Sequence, residues 1–492
     1  MTMHTDSDRY RQGLLLAEAG RHAEALELIR EYLQANPENA EALNDVGAIL
    51  HCLGRMDEAI DCLERARGLQ PDSVQIVWNL CEAYLAGARP KEAVRLFKDM
   101  QRLGILNADI LNRTANVFLQ QNEKVNAVEM LLGSLDMSPE QSVLHPMLKV
   151  IRSKRPKVAF FCGADGTTFL NDIVRFISQR YETRVFEGKT EAELRELMQW
   201  CDIAWFEWCT NLAAAASEIG ACCKRIVRLH RYEAYEKWPQ QMNWNNVDVL
   251  VTVGNDATIH ALRQKVPTIE HQTSIEVVPN GVDLTKFTRR ERPRGKNLAF
   301  VANLRMVKNP AFVLQCMQKL HYIDPEYRLH LAGSFQDEVL EAYLRQMVDA
   351  LDLAGCVSFD GWQSDVNAWL QDKDFIVSTS ICEGHPVGIL EGMACGLKPV
   401  IHNFLGARDI FPEEFIFNIA EQFCEQVLSP CYEPDRYRRF VEDRYSLAGQ
   451  LRNVYAIFER LESQVGSPVT QPGMSIDSIG GKRVPAGHVG VM

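Results

Sequence analysis

A 34-residue period runs through the first 141 positions. Ala25, Ala59, Ala93 and Ala127 stand one period apart, and Gly13 and Gly47 keep the same spacing, continued by Cys81 and Ala115. Leu16, Leu50, Tyr84 and Phe118 fill one large apolar position, and Pro37, Pro71 and Pro139 recur with Ile105 at the missing place. Few architectures satisfy this pattern. Small residues let two helices approach closely, large ones fill the groove between them, and proline ends the second helix of each pair. Residues 7–141 therefore read as four stacked helix pairs, a solenoid, with 141–152 as a capping helix.

This pattern resembles four tetratricopeptide repeats. Such arrays present a concave face from the first helix of each pair. On the repeat's phase that face carries Asn44, Asp45, Trp78, Asn79, Glu82, Asn112, Arg113 and Asn116. Asparagine side chains donate and accept, so a row of them can hold an extended peptide backbone. The set is similar to the Asn ladder of protein O-glycosyltransferases that bear such repeats. The plainer reading, a solvated helix face, stays open beside it.

Beyond a short basic connector at 153–156 the pattern changes. Short apolar, β-branched runs at 157–162, 183–186, 203–206, 225–229, 249–253 and 275–278 alternate with helical stretches, and this predicts a parallel sheet covered on both faces. Ligands of such sheets bind beyond the carboxyl ends of the strands. Gly163 opens a G-x-x-G loop after the first strand. Glu207 and His230 follow two others directly. Pro279-Asn280-Gly281-Val282-Asp283 makes a tight turn after the last strand, where Asn-Gly tolerates the backbone that a chain reversal needs. A basic linker, 289–296, follows; it reads as a solvated hinge or, more sharply, as a patch for phosphate or an acidic membrane surface.

A second α/β unit starts at 297–301, with further strands at 327–332, 357–359, 374–380 and 400–401, a helix at 337–351, and one long amphipathic helix at 435–461. Arg305 and Lys308 sit at its first strand-to-helix turn, where an Arg fork and a Lys point charge can neutralise a diphosphate. The stretch SICEGHPVGILEGMACG, 380–396, holds Glu383 and Glu391 with seven residues between them, the turn Gly384, His385, Pro386, Val387, Gly388 and the start of a helix. Backbone N–H groups at a helix start hold anions, and carboxylates accept from hydroxyls. Phosphate on the amides and sugar hydroxyls on the glutamates describe a sugar-nucleotide site. Asp372-Lys373-Asp374 spells D-x-D, a metal signature elsewhere, but precedes a buried strand and reads as coincidence.

Four motifs in order now form one pattern: His230 after a strand, the PNGVD turn, Arg305 with Lys308, and E-x7-E. On these, residues 157–463 resemble the retaining family-4 glycosyltransferases of the GT-B fold. The resemblance implies two Rossmann-like domains facing across a cleft and a last helix crossing back to the first. It implies Glu391 on the ribose, Glu383 and the amides of 384–388 on the transferred sugar, Arg305 and Lys308 on the diphosphate, and His230 and Gly163 approaching from the first domain. Cations placed where leaving-group charge grows make a metal unnecessary on this reading. The expected architecture is a repeat domain at 1–152, an N-terminal Rossmann-like acceptor domain at 153–290, a nucleotide-sugar domain at 291–434, a crossing helix at 435–465 and a disordered tail at 466–492.

The first Rossmann unit is shorter than is usual in this family, so the repeats are expected to hold the acceptor. The acceptor set is then Asn44, Trp78, Asn79, Asn112, Asn116 and Glu207. The expected activity is transfer of a hexosyl or N-acetylhexosaminyl group from a UDP- or GDP-sugar to Ser/Thr of a protein, with a bacterial flagellin or adhesin as the natural guess. The alternatives are a lipid-linked or polysaccharide acceptor, with the repeats recruiting partners, and an inactive scaffold. A formal net charge of −12 argues against bulk nucleic-acid binding. No apolar run suffices for a membrane span, no signal sequence leads the chain, and fourteen scattered cysteines without C-x2-C fit buried thiols in a reducing cytosol. Peripheral membrane contact and a homo-oligomer stay open.

Overall fold

The computed structural model describes residues 6–163, 166–291 and 293–465. The 466–492 tail expected to be disordered, and Arg292 of the basic linker, lie outside the described residues. The chain divides into two compact units, Met1–Arg155 and Pro156–Met492.

The first unit is built of helix pairs: α1 (Asp6–Glu18) with α2 (His22–Ala35), α3 (Ala40–Cys52) with α4 (Met56–Leu69), α5 (Val74–Ala86) with α6 (Pro90–Arg102), and α7 (Ala108–Gln120) with α8 (Lys124–Met137), followed by α9 (Leu144–Arg152). The four periodic alanines are completely buried. A Cβ on Gly47 would lie 2.5 Å from Leu63 Cγ, so the α3–α4 pair is close enough to favour glycine there. Asn39 and Asn107 cap α3 and α7 by accepting from backbone N–H groups three residues on.

The second unit holds two six-stranded parallel sheets. The first comprises β1 (Lys157–Cys162), β2 (Glu182–Val185), β3 (Ile203–Glu207), β4 (Lys224–Leu229), β5 (Val249–Thr252) and β6 (Ser274–Val277), in the order β2-β1-β3-β4-β5-β6. The second comprises β7 (Asn297–Val301), β8 (Arg328–Ala332), β9 (Val357–Gly361), β10 (Phe375–Ser378), β11 (Lys398–His402) and β12 (Ile416–Phe417), in the order β12-β11-β10-β7-β8-β9. Each order reverses once, between β1 and β3 and between β7 and β10. A crevice opens at the carboxyl ends of strands where the order reverses.

The single long helix expected at 435–461 is two helices, Pro434–Arg444 and Leu447–Glu462. The break has a long-range cause. Val282 N donates to Tyr445 O and Leu447 N donates to Val282 O, so the chain after the PNG turn pairs with the junction. Ser446 then caps the second helix, accepting from Gly449 N at 3.3 Å. That second helix crosses to the first sheet. Phe458 stacks on Trp205 with ring centroids 5.9 Å apart, and Tyr181 Oη donates to Glu462 at 2.9 Å.

Three cations of the basic linker have partners within the second unit. Arg289 pairs with Asp435, Arg294 donates to the carbonyls of Val427 and Ser429, and Lys296 bridges Asp324 and Glu326. These cations serve the domain's own carboxylates and carbonyls. Asp374 of the D-x-D is buried and accepts from Gly295 N and Asn297 N at 2.9 Å each, a structural tie between linker and strand. No helix among the described residues is long and apolar enough to cross a membrane.

Candidate active site

Both reversal points contribute to one cavity of about 510 Å³ between the two sheets. From the second sheet, the chain leaving β7 makes a short turn over Met306–Lys308, and Asn309 closes it in the left-handed region (φ 50°). Asparagine tolerates that region well. Thr379, just past β10, donates to the carbonyls of Lys308 and Asn309 and fixes the turn against its neighbour. Lys308 is thereby aimed at Glu383. Its Nζ donates to Glu383 Oε1 at 2.5 Å, and Ser380 Oγ donates to the same oxygen at 2.6 Å. The pair is mostly buried, with side-chain exposures of 19% and 10%. Arg305 and residues 384–388 line the same cavity.

Gly384 sits where a Cβ would lie 2.9 Å from Arg231 Cβ of the first domain, so the turn passes close under that domain. His385 points both ring nitrogens into buried surroundings without a partner, and packs edge-on to Tyr445. Burial, with Arg228 nearby, lowers its pKa to about 3, so the ring is neutral near pH 7.

The first sheet contributes His230, which follows β4 and lies between the rings of Phe169 and Trp208. Its Nε2 donates to Glu207 Oε1 at 2.8 Å. Glu207 also pairs with Arg228 at 3.1 Å, and neither of those side chains has any exposed surface. Burial opposes the charge on Glu207, but Arg228, His230 and the Trp205 indole N–H outweigh it and hold the carboxyl below its usual range. Arg228 continues to Asn280 Oδ1 at 2.5 Å, linking this cluster to the PNG turn.

Glu207, expected from the sequence to contact an acceptor, is buried, and its carboxylate accepts from His230, Arg228 and Trp205, an arrangement that orients those side chains. Glu391 lies next to this cavity. It lines an adjoining cavity of about 390 Å³ with Lys286, Asp283 and Gln450, and the two cavities share Phe169, Asn280 and Val387. Burial raises the Glu391 carboxyl to about 7, against a smaller opposing pull from Lys286. Gly163 directly follows β1, before Ala164 and Asp165, which lie outside the described residues.

In the repeat unit the asparagine row is largely self-bonded. Asn79 Nδ2 donates to Asn44 Oδ1 at 2.9 Å, Asn44 donates to Asp45, Gln75 donates to Asn79, and Asn112 donates to Gln141 at 2.7 Å. Arg113 pairs with Glu82. Trp78 is half-buried against the core of its repeat, and Asn116 is exposed. A ligand on Asn44, Asn79 or the Asn112 amide nitrogen would exchange these contacts, while Asn112 Oδ1 is buried with no partner. Sequence reasoning also missed Phe169, Trp208, Arg228 and Asn255. Asn255 carried one signal, an Asn three residues before Thr258 at a helix start, which marks a cap.

The Glycosyl transferases group 1 family matches residues 283–437, and a Tetratricopeptide repeat family matches residues 10–74. A GDP-mannose:cellobiosyl-diphosphopolyprenol alpha-mannosyltransferase of Xanthomonas campestris is 28% identical over 156 residues, 31% of this chain and 39% of its own length. A UDP-Gal:alpha-D-GlcNAc-diphosphoundecaprenol alpha-1,3-galactosyltransferase of Escherichia coli is 27% identical over 155 residues, 29% of this chain and 40% of its own. The chain thus spans about two fifths of the length of these curated relatives. Among solved structures, HepE of Anabaena in complex with UDP superposes with a TM-score of 0.53 at 14% identity, covering 62% of this chain and all of that one. At that identity the likeness speaks for the fold, two facing Rossmann-like domains.

Proposed function

We propose, for a chain whose residues 283–437 belong to the group 1 glycosyltransferases and sit in a GT-B fold behind tetratricopeptide repeats, that it moves a sugar from a nucleoside-diphosphate sugar to a hydroxyl of a protein acceptor held by the repeats. The observation that carries the transfer is the convergence of Arg305 and Lys308 with Glu383 and the 384–388 turn on one cavity. Breaking the glycosidic bond leaves an anionic diphosphate and an oxocarbenium-like sugar. Fixed cations at the diphosphate stabilise that state more than the ground state. Glu383 accepts from sugar hydroxyls, and the neutral His385 stands beside the turn. Glu391, in the adjoining cavity, is suited to the ribose hydroxyls. His230, held by Glu207, meets the sugar from the first domain. Retention of anomeric configuration follows from the resemblance to family 4, with the leaving phosphate taking the acceptor's proton.

The relatives' names support donors of the GDP-mannose and UDP-galactose kind, and HepE was solved with UDP. The same names favour a second acceptor, a sugar on a diphosphopolyprenol. Purified full-length protein screened by thermal shift against UDP- and GDP-sugars identifies the donor, because a ligand specific to the folded state raises Tm. Donor hydrolysis then separates an enzyme from an inactive scaffold. A sugar-sized mass increment on a co-expressed protein supports the protein acceptor; label appearing only in the lipid fraction overturns it.

A further inference from the structure

Asn255 joins the two domains at Glu383. It follows β5 and caps the helix Asp256–Lys265. Its Oδ1 accepts from Thr258 N at 3.1 Å and from Thr258 Oγ1 at 3.2 Å. Its Nδ2 donates across the cleft to Glu383 O and to Leu405 O, at 3.1 Å each. Both ends of the amide are used, and a flipped orientation would set the NH₂ against the Thr258 N–H. The residue is 5% exposed. The opposite wall is shaped to receive it: a Cβ on Gly406 would lie 2.3 Å from Nδ2, and Gly406 has φ +84°. Leu405 N donates in turn to Ile381 O, so one amide holds both the 381–383 loop and the 405–406 turn. Asp256 N adds a further bridge to Asp409 at 3.2 Å.

We infer that Asn255 is a positioning residue for transfer: its amide fixes the main chain at Glu383 and latches the cleft around the sugar. The inference rests on the proposed glycosyl transfer. Glu383 reaches the cavity from a loop between β10 and the helix Val387–Ala394, and its side chain is only as well placed as that loop's backbone. Lys308 and Ser380 fix the carboxylate, while Asn255 fixes the carbonyl of the same residue from the other domain. Ground-state binding of the diphosphate, through Arg305 and Lys308, does not pass through this amide.

Asn255→Asp and Asn255→Ser separate the latch from the cap. Both keep an oxygen that accepts from Thr258 N; the Asp side chain has no proton to donate and sets a carboxylate against two carbonyls, and Ser is too short to span the cleft. The expected result in the full chain is a folded protein with a lowered Tm, lower for Asp than for Ser, at least about a tenfold loss in kcat, donor KM within about twofold, and faster hydrogen exchange in peptides covering 381–388. Wild-type kcat and exchange in both folded variants, or a loss confined to KM, would overturn the inference. The exchange measurement is independent of turnover. Were the wild-type chain to process no sugar nucleotide, the functional reading would fail, and unchanged exchange in the variants would remove the latch as well.

Discussion

An ammonium and a carboxylate 2.5 Å apart at the wall of a cavity are costly to separate, since removing one leaves the other largely buried and unpaired. Lys308 and Glu383 stand in that relation. Under the proposed chemistry Lys308 also faces the diphosphate, where charge develops. Lys308→Ala is expected to lower kcat by about 10²–10³, the scale of losing one fixed electrostatic stabiliser, with near-UV circular dichroism unchanged. Turnover within a few-fold of wild type would place the reacting bond elsewhere. Glu391 gives a second test at this scale. Its carboxyl titrates near 7 in the fold and near 4.5 when exposed, because burial disfavours its charge. The folded state therefore binds more protons between those values. The stabilisation is complete below about 4.5 and is lost as pH rises through about 7. Glu391→Gln has no such proton to lose, so its Tm relative to wild type should rise between pH 5 and pH 8; a flat difference would mean that the carboxyl is not buried as described. Position was legible beyond the strand ends: Lys308, His230 and Glu383, singled out on that rule, line one cavity. The enclosure of Glu207 was not legible, because it depends on Arg228 and Trp205 from the sheet around it, and a sequence does not show which loop polar group is covered. Asn255 could be read as a cap, but its two donors across the cleft are long-range contacts with no local sequence mark.

Elements were read from period and composition, and they failed where two distant segments meet. The strands named from the sequence stand within a few residues of their expected bounds, and the helices of the first unit follow the 34-residue period. The amphipathic run 435–461 kept its period across Tyr445 and Ser446, so nothing local announced a break; the interruption comes from Val282, more than 150 positions earlier. The PNG turn is thus as much a docking point for the final helix as a chain reversal. A Cβ on Gly281 would lie 2.4 Å from Leu447 Cα and 2.6 Å from Leu447 N, both backbone atoms that cannot rotate away. Gly281 N also donates to Gln450 at 2.6 Å. Gly281→Ala is therefore expected to cost about 1–3 kcal/mol by forcing the helix start off the turn, read as a lower urea midpoint at unchanged m. A variant as stable as wild type would mean that the helix Leu447–Glu462 tolerates a shifted start.

At the scale of the whole molecule, the two units have separate cores. The repeat unit buries its own alanine and leucine clusters, and the transferase unit has both sheets, their covering helices and every residue of the cavity. Removing residues 1–155 therefore leaves the donor chemistry with all its groups. The hydrogen bonds among Asn44, Asn79 and their neighbours mean that a peptide on the concave face must replace existing contacts, which lowers net affinity and favours segments able to match several of them at once. Under the proposed acceptor, the shortened chain should hydrolyse its sugar nucleotide at close to the full-length rate while its transfer to the protein acceptor falls by about tenfold or more, as expected when a tethered interaction becomes a bimolecular one. Measuring both rates on one preparation separates the outcomes. Equal loss of hydrolysis and transfer would mean that the repeats support the fold of the transferase unit. Equal retention would mean that the acceptor is recognised by the cleft alone, and the lipid-linked acceptor would then be the stronger reading.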